Sequence, residues 1–343
     1  MLSLSLKKNT PLADQIIVLD RLANLMKNGY SISRALTLLS YDPKLGKIAK
    51  QIDIQLKNGK SLHLIFQSLS FTPIVTSFLY FSQETGRLQE ALQNGTRLLK
   101  QQKAFQNKFN KTLQYPLILF CFILLLFFFL KAFLLPSLTD MYQGFMGAEY
   151  TPAVLTIMNH VINILLFFII FAIFAWFLWR RIKSKLPVQQ KIMFYSALPL
   201  LRTYKSLETT YLFSYHFSTL LESGLSIKNA LQIMKNQSQL PFLQHCTSIC
   251  YEGIYAGEKL HEVIRQIPLV ERELPIITER SMYDGTLVKD LRSYAEMLVE
   301  SITSKISKMI TYIQPMCYLF FGVIILTVYF SILIPMFNLM QQL

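Results

Sequence analysis

Leu25-Met26-Lys27-Asn28-Gly29-Tyr30-Ser31-Ile32 returns 195 positions later as Leu220-Leu221-Glu222-Ser223-Gly224-Leu225-Ser226-Ile227, and each copy goes on to an Ala-Leu pair, Ala35-Leu36 and Ala230-Leu231. The stretch reads as the end of one helix, a tight turn and the start of the next. Before it, Ile16, Leu19, Leu22, Ala23 and Met26 keep the three-and-four spacing of a buried helix face. Gly29 suits a left-handed helix stop, and Ser31 and Ser226 stand where a side-chain oxygen can cap the next helix. Working outward, Gly59 answers Gly257, Leu62 answers Leu260, and Gly86-x-Leu88-x3-Leu92 answers Gly285-x-Leu287-x3-Leu291. Pro116 then answers Pro315, and Pro136 answers Pro335. The offset drifts only from 195 to 199, so most of the chain is a direct repeat with small insertions.

Each copy predicts a bundle of about six helices. Gly59 ends one helix and Ser61 caps another. Thr72-Pro73 supplies an N-cap and a first-turn proline for a helix that stops at Gly86. No sustained period-two alternation of Val, Ile and Thr marks a strand. The last helix of each copy, Leu88 to Leu113 or Leu287 to Ile313, is expected to run on into an apolar span, kinked by its proline. The fold class is therefore all-α.

Three 19-residue stretches match a bilayer. Leu117–Leu135 is interrupted by Lys131, Val161–Trp179 contains one polar residue, Asn163, and Met316–Ile334 carries Thr327 and Ser331. As helices each is about 28 Å long, against a hydrocarbon core of about 30 Å. Charged residues are 16% of the 343, well below the roughly 25% of soluble domains, so a single soluble globule fits poorly. Four cysteines rule out a disulfide scaffold. Residues 1–15 lack the apolar core of a secretory signal. Residues 1–115 carry a net +10 and 180–314 a net +5, whereas 136–160 holds Asp140 and Glu149 and no Lys or Arg. The positive-inside rule places both basic blocks in the cytoplasm. The expected order is a cytoplasmic bundle at 1–115, a transmembrane helix at 116–136 and a short outer loop at 137–159. A second transmembrane helix at 160–179, a second bundle at 180–314, a third transmembrane helix at 315–335 and an outer tail at 336–343 complete it.

Little in the chain reads as chemistry. Gly59-Lys60-Ser61 resembles the end of a phosphate loop, but position 54 is Ile rather than Gly and no strand precedes it. Cys246 and Cys250 share a helical face near His245 and His261, without the second ligand pair that zinc wants. Cys121 and Cys317 lie in or beside spans, and His63, His160 and His216 stand alone. Lys131 lies five residues from Pro136, close enough to snorkel to the outer interface. The spans contain no acid, unlike the usual ion-coupled transporter. The densest basic groups flank spans, where topology explains them, so direct nucleic-acid binding is not expected. No enzyme activity, cofactor or metal is expected. The sharper motif is Glu84-Thr85-Gly86-Arg87-Leu88, because an acid near a helix C-terminus opposes the local dipole and can mark a partner or cation contact. The second copy keeps the glycine and leucine but places Tyr283 opposite Glu84.

The duplicated glycine–Ser-Ile–Ala-Leu opening, the Glu-x-Gly-x-Leu segment and Tyr115-Pro116 entering a span resemble the inner-membrane platform family of type II secretion systems and type IV pili (GspF/PilC-like). The resemblance covers essentially the whole chain. It places Gly29, Gly59, Glu84, Gly86, Pro116 and Pro136 on first-copy signature positions, and Gly224, Gly257, Gly285, Pro315 and Pro335 on those of the second. It implies a mechanical role without catalytic residues. The implied partners are a cytoplasmic hexameric ATPase, pilin-like subunits, membrane lipid and further copies of the chain. The second copy departs from the pattern by lacking the acid before its glycine in the usual register, where Tyr283 stands opposite Glu84. The chain also starts almost at the first repeat, a short form similar to the competence-pseudopilus platforms of Gram-positive bacteria. In that branch the role is DNA uptake; secretion or surface-pilus assembly is the alternative, and a membrane transporter is the reading from another class.

Overall fold

A computed structural model describes residues 10–134, 188–197 and 199–340, together with isolated positions between 136 and 177. Every regular element among the described residues is helical. The first copy comprises α1 (Leu12–Lys27), α2 (Ile32–Leu39), α3 (Gly46–Lys57), α4 (Leu62–Ser68), α5 (Pro73–Thr85) and α6 (Leu88–Phe129), which passes into a π-helical turn, Leu130–Leu134. After α7 (Val188–Ala197), the second copy comprises α8 (Pro199–Glu222), α9 (Ile227–Asn236), α10 (Pro241–Tyr255), α11 (Leu260–Gln266), α12 (Glu273–Asp284) and α13 (Leu287–Met340).

The punctuation read from the sequence sets these boundaries. Ser31 Oγ accepts from the Arg34 N–H at 3.4 Å and Ser226 Oγ from the Asn229 N–H at 3.3 Å, each satisfying an amide that the helix start leaves open. Ser61 and Thr72 occupy N-cap positions, but neither side chain makes the capping bond. Pro73 opens α5 as expected. Neither Pro116 nor Pro315 ends its helix: α6 and α13 continue through them.

Two compact units form. Met1–Gln106 and Pro187–Ile306 make one, and Asn107–Leu186 with Ser307–Leu343 make the other. Both six-helix copies thus share the first unit, whereas the sequence shows them only as two homologous bundles. The core of the first copy gathers Leu19, Leu22, Leu36, Ile65 and Phe66. That of the second gathers Phe213, Phe217, Leu231, Met234 and Leu291, and it also takes in Phe78, Phe81 and Ala91 from the first copy. Helix α5 therefore lies between two cores.

In the second unit, α6 and α13 are long and apolar enough to cross a membrane, and only 12% and 11% of their apolar windows are buried. Such exposure is unlike the mostly buried core helix of a soluble protein and suits contact with lipid. Within the unit, Tyr115 meets Tyr318 edge-on at 5.6 Å, and Phe120 lies 6.3 Å from Phe321. Lys131 Nζ donates to Asn163 Oδ1 at 2.7 Å, giving this ammonium a partner that the sequence reading did not assign. The proposed second span at 160–179 and the loop at 137–159 lie largely outside the described residues, as do residues 341–343.

Candidate functional site

The six glycines matched between the copies, Gly29, Gly59, Gly86, Gly224, Gly257 and Gly285, all have positive φ. At the sharper motif, Gly86 takes φ 70° and ψ 0° and closes α5, its N–H donating to the Ser82 carbonyl at 2.9 Å. Gly285 does the same for α12 at φ 69°. No atom lies within 4 Å of where a Cβ would sit on either residue, so the backbone conformation rather than crowding calls for glycine. Glu84, on the last turn of α5, is exposed, and among the described residues it has no ion pair. Nearby Tyr80 has its phenol raised, first by burial and then by the Glu84 charge. Tyr283, opposite Glu84 in the repeat, is 79% exposed.

Just beyond Gly86, the start of α6 anchors a polar cluster that links the two copies. Arg87 pairs with Glu222 at the end of α8, and Glu90 pairs with Arg292 on α13. Arg292 also donates to Thr219 Oγ1 at 3.1 Å, and its guanidinium lies 4.5 Å from the centre of the Tyr215 ring. The Tyr215 hydroxyl donates to Glu90 Oε1 at 3.2 Å and accepts from Asn94 Nδ2 at 2.7 Å. Burial dominates the upward shift of the Tyr215 phenol, so it stays a neutral donor. For Arg292, burial is the largest single effect and would weaken the charge, but the Glu90 hydrogen bond together with the charges of Tyr215, Glu90 and Glu222 makes the net shift upward. Beside this cluster His216 is 1% exposed, with ring centres 4.7 Å from Phe78 and 4.2 Å from Phe81. Burial, helped by the Arg292 charge, pushes the imidazole down to about 3, and its Nε2 has no hydrogen-bond partner. The site thus sets two ion pairs between the copies, with a neutral histidine beside them. Its chemistry is that of a clamp.

The remaining candidates lie apart from this cluster. Gly59 ends α3, and the Lys60 N–H closes the turn by donating to the Gln55 carbonyl at 3.2 Å; helices flank the segment on both sides. Burial pushes the Cys246 thiol up to about 12 and raises Cys250 too, so neither is a ready thiolate. His261 lies 3.7 Å from Glu279, and among the described residues no group of three His, Cys, Asp or Glu could hold a metal. Pro116 is buried, Pro136 and Pro315 are exposed, and Pro335 lies within α13.

The family model for the type II secretion system protein F matches residues 18–136 and again 213–335. The chain belongs to that family. The two matched blocks coincide with the two copies of the repeat. "ComG operon protein 2" of Bacillus subtilis is 27% identical over 92% of this chain and 98% of its own length. Its homologue in Halalkalibacterium halodurans is 25% identical over 92% and 99%. The "Type IV pilus assembly protein PilC" of Thermus thermophilus is 21% identical over 99% of this chain and 86% of its own.

Within this family member, sequence reading found the turns and missed the clamp. Arg87, Glu90, Glu222 and Arg292 face Thr286, Lys289, Lys27 and Gln93 in the repeat, so none of these charges is shared between the copies. That asymmetry is the signal that could have found them. A charge that one copy needs and the other does not points to a contact made once.

Proposed function

We propose that this chain is the membrane platform that couples a cytoplasmic secretion-type ATPase to the assembly of pilin-like subunits into a competence pseudopilus for DNA uptake. Family membership supports a platform. The higher identity to the two "ComG operon protein 2" sequences, 27% and 25% against 21% for PilC, supports the choice of the competence branch. The protein acts mechanically: the clamp joins both copies into one body, and α6 and α13 lead from that body into apolar stretches. Three spans, with the N-terminus inside and the C-terminus outside, complete the proposed topology, on the charge asymmetry of the connecting segments.

Disrupting the gene in its host should abolish both transformation and the pseudopilus, with restoration by the gene in trans. Unchanged transformation alongside lost secretion or lost surface pili would move the protein to another branch of its family. For topology, single cysteines at positions 145 and 60 in a cysteine-free background would be probed on intact cells with an impermeant maleimide. Labelling is expected at 145 only, and labelling at 60 without lysis would reverse the orientation.

A further inference from the structure

His216 is a polar residue in an apolar seat, and the repeat shows that the seat is its own. Its counterpart in the first copy is Arg21, whose side chain is 50% exposed. His216 packs against Phe78 and Phe81 at 1% exposure, and its Nε2 meets no hydrogen-bonding group among the described residues. An apolar side chain would fill the same seat without a buried polar atom left unpaired, which is costly. Folded proteins satisfy such atoms with another protein group or with ordered water.

His216 also lines a small cavity on the seam between α5 and α8, together with Ser82, Thr85, Arg87, Glu90 and Thr219. About 10 Å³ of it admits a water-sized sphere, which is the room that one water needs. The hydroxyls of the wall have already committed their protons. Ser82 Oγ donates to the Leu79 carbonyl at 2.8 Å, Thr85 Oγ1 to the Phe81 carbonyl at 3.2 Å and Thr219 Oγ1 to the Tyr215 carbonyl at 2.8 Å. A carbonyl only accepts, so these hydroxyls have lone pairs alone to offer, and the Glu90 carboxylate adds more. An acceptor-rich wall calls for a donor.

Size and charge then select the occupant. Arg87 and Arg292 disfavour a cation, Glu90 and Glu222 disfavour an anion, and the volume excludes any larger neutral molecule. Water brings two protons for acceptors and two lone pairs for an N–H, so it serves either tautomer of the imidazole. We propose that one ordered water occupies this cavity and joins His216 Nε2 to the oxygen atoms of its wall. The bridge ties α8 of the second copy to the α5 and α6 side of the first through a hydrogen bond that neither copy makes directly. It also accounts for a histidine where the surrounding rings would suit an apolar residue. The inference rests on the seam between the copies and holds for whichever filament the platform serves.

The test uses the full chain in lipid bilayers, labelled with 15N on histidine. Solid-state spectra are recorded after magnetisation has been passed from water protons alone. The ring signals of His216 are assigned by their loss in His216→Met, which keeps the other histidines. In the wild type, His216 should gain water magnetisation at the mixing time that brings up the half-buried His63. A His216 signal still missing once His63 has reached its plateau would overturn the proposal. Independently, a density map of the full chain that resolves ordered water should show one peak within about 3.2 Å of His216 Nε2. A clear map with no peak there would overturn it as well, as would a peak at about 2.1 Å, the distance of a metal ligand.

Discussion

His216 makes the clamp acid-sensitive, and the size of the effect comes from where the residue sits. A free imidazole titrates near 6.5, whereas the folded protein holds His216 down to about 3 because protonation would bury a charge between Phe78 and Phe81. The folded state therefore refuses a proton that the unfolded chain accepts. Full stability is present above about pH 6.5 and is lost progressively as pH falls towards 3. At pH 5 the unfolded chain gains about 1.36 kcal/mol for each of the 1.5 pH units below its pKa, or roughly 2 kcal/mol. For a unit of this size that lowers the melting temperature by about 4–8 °C. The perturbation is His216→Met, which removes the titrating group and refills the site with a flexible apolar side chain. Apparent melting temperatures of purified wild type and variant would be measured in detergent at pH 7.5 and 5.0. The wild type should lose about 4–8 °C more than His216→Met between those conditions. Equal losses would refute the argument, because every other titrating group is common to the two proteins.

Gly86→Ala should cost about 1 kcal/mol, all of it from forcing an L residue into a left-handed conformation, and Gly285→Ala should match it; thermal melts check both. Glu90→Ala leaves Arg292 without its carboxylate in a site where each side chain is 28% exposed, which should cost about 1–3 kcal/mol after allowing for solvent. A double-mutant cycle with Arg292→Ala should then give less than the sum of the two single losses. Glu84→Ala should leave stability within about 0.5 kcal/mol, because the carboxylate is exposed and opposes the helix dipole. If Glu84 contacts a partner, the same change should abolish transformation at normal protein abundance by immunoblot. Near-normal transformation would retire that role.

The features legible from sequence were those that a helix needs locally. Gly29, Gly86 and Gly285 announce left-handed stops because few other residues tolerate positive φ, and Ser31 and Ser226 announce caps because a hydroxyl satisfies an open amide. Ser61 and Thr72 show the limit of that logic: position predicts a cap, but the bond depends on a rotamer that sequence does not fix. The clamp was illegible for a deeper reason. Glu90 and Arg292 lie 202 positions apart, and no local pattern tells a helix charge facing water from one facing another copy of the repeat. Phe78 and Phe81 had the same ambiguity, since α5 already has a buried face in its own bundle and the aromatic residues sit on the second one.

The burial of Phe78 and Phe81 against His216 has a consequence for biosynthesis. His216 leaves the ribosome more than 130 residues after Phe78, with the first two proposed spans made in between. At about 5–20 residues per second, two aromatic side chains on α5 wait on the order of ten seconds for their cover. During that interval the first copy has a complete core of its own and an adhesive patch beside it. The patch on α5 therefore stays uncovered until α8 is made.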